Sequence, residues 1–328
     1  MVASGERRTP RWLHVLVALT CVAVVVVAVI SVVVANRATS STHAATPEPL
    51  VYQGGPVMTA ASTYAVFWQP PQLQDGTTAA LPPRLESLVL SFLHDLGGQG
   101  LFENLTQYYQ VTGGSTQHID AALPFAGSAV ETAPYPASMG TCHHEVNCMT
   151  QGQIQAQLES VMAAHGWTAG LDHVFLVYVA PNEDVCDTAC AITSTKDSWC
   201  GTHYDAAVGG ARLVYGVFAI DTSGDRGCDN FQGTGQNPLP SPNHSAVIDG
   251  VLSSTAHEIA EAVTDPEAAS TGWTTVKGPQ AGSEVADVCE TSFLPVSADG
   301  TNQRWEGHSY QVQELWDNAK NRCVQSGP

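Results

Sequence analysis

The chain has 328 residues, with 12 Lys and Arg against 31 Asp and Glu and a formal net charge of −19. So acidic a surface repels polyanions, which excludes nucleic acid and anionic lipid headgroups as partners of the body of the chain and suits solubility outside the cell. Beyond residue 50 the chain is long enough for one large domain or two tightly joined ones.

Arg7, Arg8 and Arg11 precede an uncharged, mostly apolar run from Trp12 to Ala35. At about 1.5 Å per helical residue it is long enough to cross a bilayer core of about 30 Å. Three arginines before the run and only Arg37 just after it place residues 1–11 in the cytoplasm. A cleavable signal has a shorter apolar region of about 7–15 residues, and Val33-Val34-Ala35 is a poor cleavage site. The expectation is a signal-anchor: one transmembrane helix at 12–35, holding an extracytoplasmic C-terminal body at the cell membrane. Cleaved secretion is the alternative. Residues 36–50, small, polar and Pro-containing, read as a flexible stalk.

The body, 51–328, alternates strand and helix signals. Val57 to Trp68 ends in a β-prone run. Pro83 to Leu96 has Leu85, Leu88, Phe92 and Leu96 at helical spacing. Gln151 to His165 is a second amphipathic helix with Ile154, Leu158 and Met162 on its buried stripe. Leu171 to Ala180 is a buried strand. A cysteine-rich loop from Asn182 to about Ala206 leads to a strand at Arg212 to Ile220. A Gly, Asp and Asn loop over 221–243 then precedes a helix from Ser245 to Val263, which Asp265-Pro266 stops. Ser309 to Trp316 is a late strand. The pattern predicts α/β architecture: a mixed sheet with packed helices.

Of the nine cysteines, Cys21 lies in the apolar run and the other eight lie in the body. An even set in an oxidising compartment favours disulfides, each worth about 2–4 kcal/mol. Eight cysteines allow on the order of a hundred pairings, and proximity makes Cys142 with Cys148 the first guess. Cys-ligated zinc is the weaker option, since no C-x2-C pair is present.

The chemistry concentrates in His257-Glu258-Ile259-Ala260-Glu261. His257 and Glu261, four apart, share one helix face and converge on one point, with Glu258 beside it. This is the layout of H-E-x-x-H zinc hydrolases with Glu in place of the second His. Burying an imidazole and two carboxylates is costly without a cation, and zinc accepts both donor types. Glu284 is the candidate third ligand. Asp287, one turn later, would accept a hydrogen bond from the far nitrogen of His257 and fix its tautomer. With three protein ligands one position is left for water, whose proton Glu258 would take as general base. The competing reading is an ordinary charged helix face. His203 reads as a structural histidine, with a cleft-facing substrate or transition-state donor as the alternative, Cys142-His143-His144-Glu145 as a surface loop, and 221–229 as a turn without calcium-loop spacing. Asn104-Leu105-Thr106 and Asn243-His244-Ser245 fit the glycosylation sequon.

The stretch HEIAEAVTDPEAASTGW…GSEVADVCE resembles the active-site helix and downstream glutamate helix of the gluzincin metallopeptidases. The resemblance implies a zincin-like helix with His257 and Glu284 as ligands, Glu258 as base and Asp287 as supporting acid. Two departures stand out: Glu261 replaces a His, and Glu284 to Asp287 is one residue short of E-x3-D. A second resemblance runs from about 51 to 323. It rests on Gly54-Gly55-Pro56-Val57, Tyr64-Ala65-Val66-Phe67-Trp68, Cys186-x3-Cys190, Trp199-Cys200-Gly201-Thr202-His203, the HEIAEAVTDP run and Asp287-Val288-Cys289. These look like the Exordium-like family, also called phosphate-induced protein 1, whose members are secreted and in plants tied to cell expansion. The combined expectation is a zinc-dependent, peptidase-like hydrolase acting on a peptide or cell-wall substrate. The alternative is a non-catalytic secreted or cell-surface protein acting in wall or surface interactions.

Overall fold

Hydrophobic runs that alternate between two buried faces build the centre of the molecule. In the computed structural model the described residues are 48–138, 147–186, 200–220, 239–267, 271–293 and 295–327. They lie in the unit Pro47–Pro328. Five strands form one sheet: β1 (Ser62–Trp68), β2 (Phe125–Glu131), β3 (His173–Val179), β4 (Thr202–Val208) and β5 (Ala211–Ala219), in the order β2-β1-β3-β5-β4. Strands β2, β1, β3 and β5 run parallel. Edge strand β4 pairs antiparallel with β5, through partners from Ala211 with Val208 to Val217 with Thr202.

Three helices cover the sheet. Helix α1 (Leu85–Asp95) and helix α3 (Ala246–Thr264) share one core with Phe67, Val174, Leu176, Tyr178 and Phe218. Helix α2 (Gln151–His165) buries Ile154, Leu158, Val161 and Met162 against Val66, Phe175, Val177, Tyr215 and Val217 on the other face. Strand β3 therefore contributes alternate residues to the two cores, which is why its sequence is apolar throughout. A Thr150–Gln153 capping box starts α2, and Gly166 ends it in the left-handed conformation. The C-terminal third forms two short hairpins, Gln303–Trp305 with His308–Tyr310 and Leu315–Asp317 with Arg322–Val324. The expected late strand at Ser309–Trp316 is thus split between two hairpins.

The expected fold class is corrected in one respect. The mixed α/β sheet with packed helices is present, but no helix among the described residues is long and apolar enough to cross a membrane. The transmembrane helix expected at 12–35 is therefore no part of the fold described here; it and most of the stalk lie outside the described residues. So do Cys142, Cys190, Cys228 and the turn at 221–229.

Cys289 and Cys323 form a disulfide with Cα atoms 5.7 Å apart, and Cys148, Cys186 and Cys200 are disulfide-bonded as well. Both sequon asparagines are used by the fold. Asn104 is buried and donates to the Trp316 carbonyl at 2.8 Å. Asn243 donates to Asp249 Oδ1 at 2.6 Å and to the Ser309 carbonyl at 3.1 Å.

Candidate metal centre

Helix α3 starts at Ser245, whose hydroxyl accepts from the Ile248 amide. It is buried almost all round because the sheet lies on one side and the C-terminal segments on the other. This sandwiching puts Glu258 and Glu261, each 3% exposed, into the interior. Edge strand β4 brings His203 against the same helix, and Gly201 permits the approach. A Cβ at Gly201 would stand 2.8 Å from the Phe218 ring and 3.1 Å from Glu258 Cγ.

Two ligand groups result, and Glu261 belongs to both: His203 with Glu258 and Glu261, and His257 with Glu261 and Asp287. In the first, His203 Nδ1 lies 3.3 Å from Glu258 Oε2 and 3.8 Å from Glu261 Oε2. In the second, His257 Nε2 lies 3.0 Å from Glu261 Oε1 and 3.6 Å from Asp287 Oδ1. The expected i, i+4 convergence of His257 and Glu261 is what the helix delivers.

The opposite nitrogen of each ring meets a carbonyl oxygen. His203 Nε2 is 3.2 Å from the Asp265 carbonyl, which can only accept, so this nitrogen carries the hydrogen. His257 Nδ1 is 3.0 Å from Gln313 Oε1. Gln313 Nε2 donates to the Ala286 carbonyl at 2.8 Å, which fixes the amide so that His257 is the donor. Each ring therefore turns its remaining nitrogen toward carboxylates. A lone pair there would face negative oxygen, so either a proton or a metal cation must sit between.

The electrostatics follow. Burial opposes charging of His203, but Glu284, Glu258 and Glu261 outweigh it and push its pKa up to about 10. His257, opposed by burial in the same way, is driven well above its ordinary value by Glu261, Glu258 and Asp287. Burial pushes Glu261 up to about 7 against the pull of His257. Glu284 is raised well above the carboxylate range by burial and by Glu261.

The structure places Glu284, Asp287 and Glu258 differently from expectation. Asp287, not Glu284, joins His257 and Glu261. The Asp287 amide donates to Glu261 Oε1 at 3.1 Å at the start of a short 3-10 turn, Asp287–Cys289, which carries the side chain to the near nitrogen of His257. The far nitrogen, assigned to Asp287 from sequence, is taken by Gln313. Glu284 lies on the other side, with Oε1 3.8 Å from His203 Nε2 and no hydrogen-bond partner although buried. Glu258, expected as a general base beside the metal, lies in the His203 group with Oε2 3.3 Å from Nδ1. His203 and Gln313 were the residues sequence reasoning missed. Only the position of His203 in the Trp199–His203 motif hinted at a role.

The set fits a cation: two imidazole nitrogens and carboxylate oxygens suit zinc or a similar divalent ion. Outer hydrogen bonds like those from His203 and His257 are what orients metal-binding histidines. The buried, unpartnered oxygen of Glu284 is a further sign of fit.

Among curated proteins the chain is 33% identical over 103 residues to Protein EXORDIUM-like 3 of Arabidopsis thaliana. That match covers 27% of this chain and 30% of the relative, so the chain spans under a third of that protein's length. It supports a distant Exordium-like relationship. No family model and no solved structure matches the chain, and the gluzincin resemblance gains nothing from these comparisons.

Proposed function

We propose that this is a secreted or cell-surface Exordium-like protein whose α3–β4 cluster binds a divalent cation of the zinc type. The observation that carries cation binding is the geometry of both histidines, each with one nitrogen against a carbonyl oxygen and the other turned to buried carboxylates. The exterior location rests on the disulfide-bonded cysteines and on the Exordium-like stretch. The donors would come from two groups that share Glu261: His203 with Glu258, and His257 with Asp287. The ion would neutralise buried carboxylates and tie helix, edge strand and C-terminal segment together. Elemental analysis of the full chain, purified without chelator, should find bound metal. Metal-free protein that takes up none on incubation with zinc would overturn the proposal.

A hydrolytic role is the finer alternative, favoured by the position of Glu258 within the same cluster. A bound zinc ion would supply an acidified water, and Glu258 would hold its proton. Glu258→Gln decides between the two. A hydrolase would keep its metal and lose about 10²–10⁴-fold in cleavage of a peptide library. A binding protein shows no cleavage in the wild type, and its metal affinity falls in Glu258→Gln because Glu258 is a ligand.

A further inference from the structure

The cluster has more donors than one ion uses, and they are arranged in two sets. We infer that the site is built for two cations bridged by the carboxylate of Glu261, an inference that rests on the cation-binding function proposed above. Glu261 aims its oxygens apart: Oε1 toward His257 Nε2 at 3.0 Å, Oε2 toward His203 Nδ1 at 3.8 Å. Each oxygen thus faces a different imidazole nitrogen, and each nitrogen is freed for a metal by a separate outer bond.

Each half has its own further oxygen. On the His257 side it is Asp287 Oδ1, 3.6 Å from Nε2. On the His203 side it is Glu258 Oε2, 3.3 Å from Nδ1. Two more carboxylates flank the His203 half. Asp265 is fully buried; its Oδ1 accepts the amides of Thr271 and Gly272, while its Oδ2 has no hydrogen-bond partner. Glu284 Oε1 is also buried without a partner. Buried carboxylate oxygens without a hydrogen-bond partner among the described residues are costly unless positive charge lies near them. The opposite ends of Glu261 match the way a carboxylate spans a pair of metal ions about 3.5–4 Å apart.

The test is stoichiometry on the intact chain, with Zn²⁺ or Mn²⁺ alone as the probe. Two Zn²⁺ per chain are expected by elemental analysis and native mass spectrometry. His203→Gln and His257→Gln should each retain one, while Glu261→Gln should disrupt both. With Mn²⁺, a resonance spectrum of two exchange-coupled ions is expected. This wild-type measurement keeps the inference testable should a variant fail to fold. One ion per chain with an uncoupled Mn²⁺ spectrum would overturn the two-ion inference and leave the cation-binding function standing. No bound ion under any loading condition would overturn both.

Discussion

His257 and His203 reach the same carboxylate from opposite kinds of secondary structure. His257 sits on α3, one turn before Glu261, and the helix alone sets their 3.0 Å contact. His203 sits on an edge strand, more than fifty residues upstream, and meets Glu261 and Glu258 only because β4 pairs with β5 and α3 packs beneath both. The helical half is local and legible. The strand half exists only once the sheet has formed. Their supports differ as well: a backbone carbonyl holds His203 and a side-chain amide holds His257. Only the second support can be removed by mutation.

The largest expected effect comes from removing what the two halves share. Glu261→Gln should weaken metal binding at both histidines by more than the roughly 10–100-fold that loss of an outer partner costs. Equilibrium dialysis against zinc measures this, and loss at one half alone would separate the halves.

Next comes a buried carboxyl that faces no histidine among the described residues. Glu183 is buried, accepts from Gln74 Nε2 at 2.9 Å, and is pushed up to about 8 by burial, with Asp184 and Asp75 adding to the rise. Its folded pKa lies above the unfolded value of about 4.3, so the folded chain holds the extra proton between these limits. Stability should therefore fall as pH rises from about 4.3 through 8. Glu183→Gln should flatten this dependence by on the order of 4 kcal/mol between pH 5 and pH 9, read from denaturant midpoints. An unchanged profile would show that Glu183 does not titrate in that range. The cluster carboxylates face imidazoles; among the described residues Glu183 has the Gln74 amide as its hydrogen-bond partner.

The disulfide between Cys289 and Cys323 anchors the turn that carries Asp287 to the strand Arg322–Val324. Cys323→Ser should cost about 2–4 kcal/mol in global stability. It should also weaken metal at the His257 half more than at the His203 half, and uniform weakening would show that the turn is held by other contacts.

The smallest effect tests the asymmetry directly. Gln313→Leu removes the acceptor for His257 Nδ1 and leaves the Asp265 carbonyl in place. Zinc affinity at the His257 half should fall about 10–100-fold while the other half is unchanged. Isothermal titration of wild type and variant would resolve the two halves, and an unaltered isotherm would show that the tautomer of His257 does not need Gln313.

The residues themselves determined a good deal. Helix α2 was legible to the residue, and α1 and α3 to within a residue or two, because the 3.6 repeat and its stop signals are local. The central strands β1, β3 and β5 were legible because strands buried on both faces are apolar throughout. The edge strands were not. Strands β2 (FAGSAVE) and β4 (THYDAAV) are half-exposed; β4 fell largely within the expected cysteine-rich loop, and β2 drew no expectation. Missing β4 meant missing His203 as a partner of Glu258. The convergence of His257 with Glu261 belonged to the sequence, since helical spacing guarantees it. Which acid completes each half did not. Glu284 and Asp287 are three apart, and a 3-10 turn anchored by the Glu261 carboxylate, not sequence distance, decides which one faces His257. Gln313 reaches α3 through a C-terminal segment pinned by its backbone bond to Ser253 Oγ, a long-range contact that no local pattern encodes.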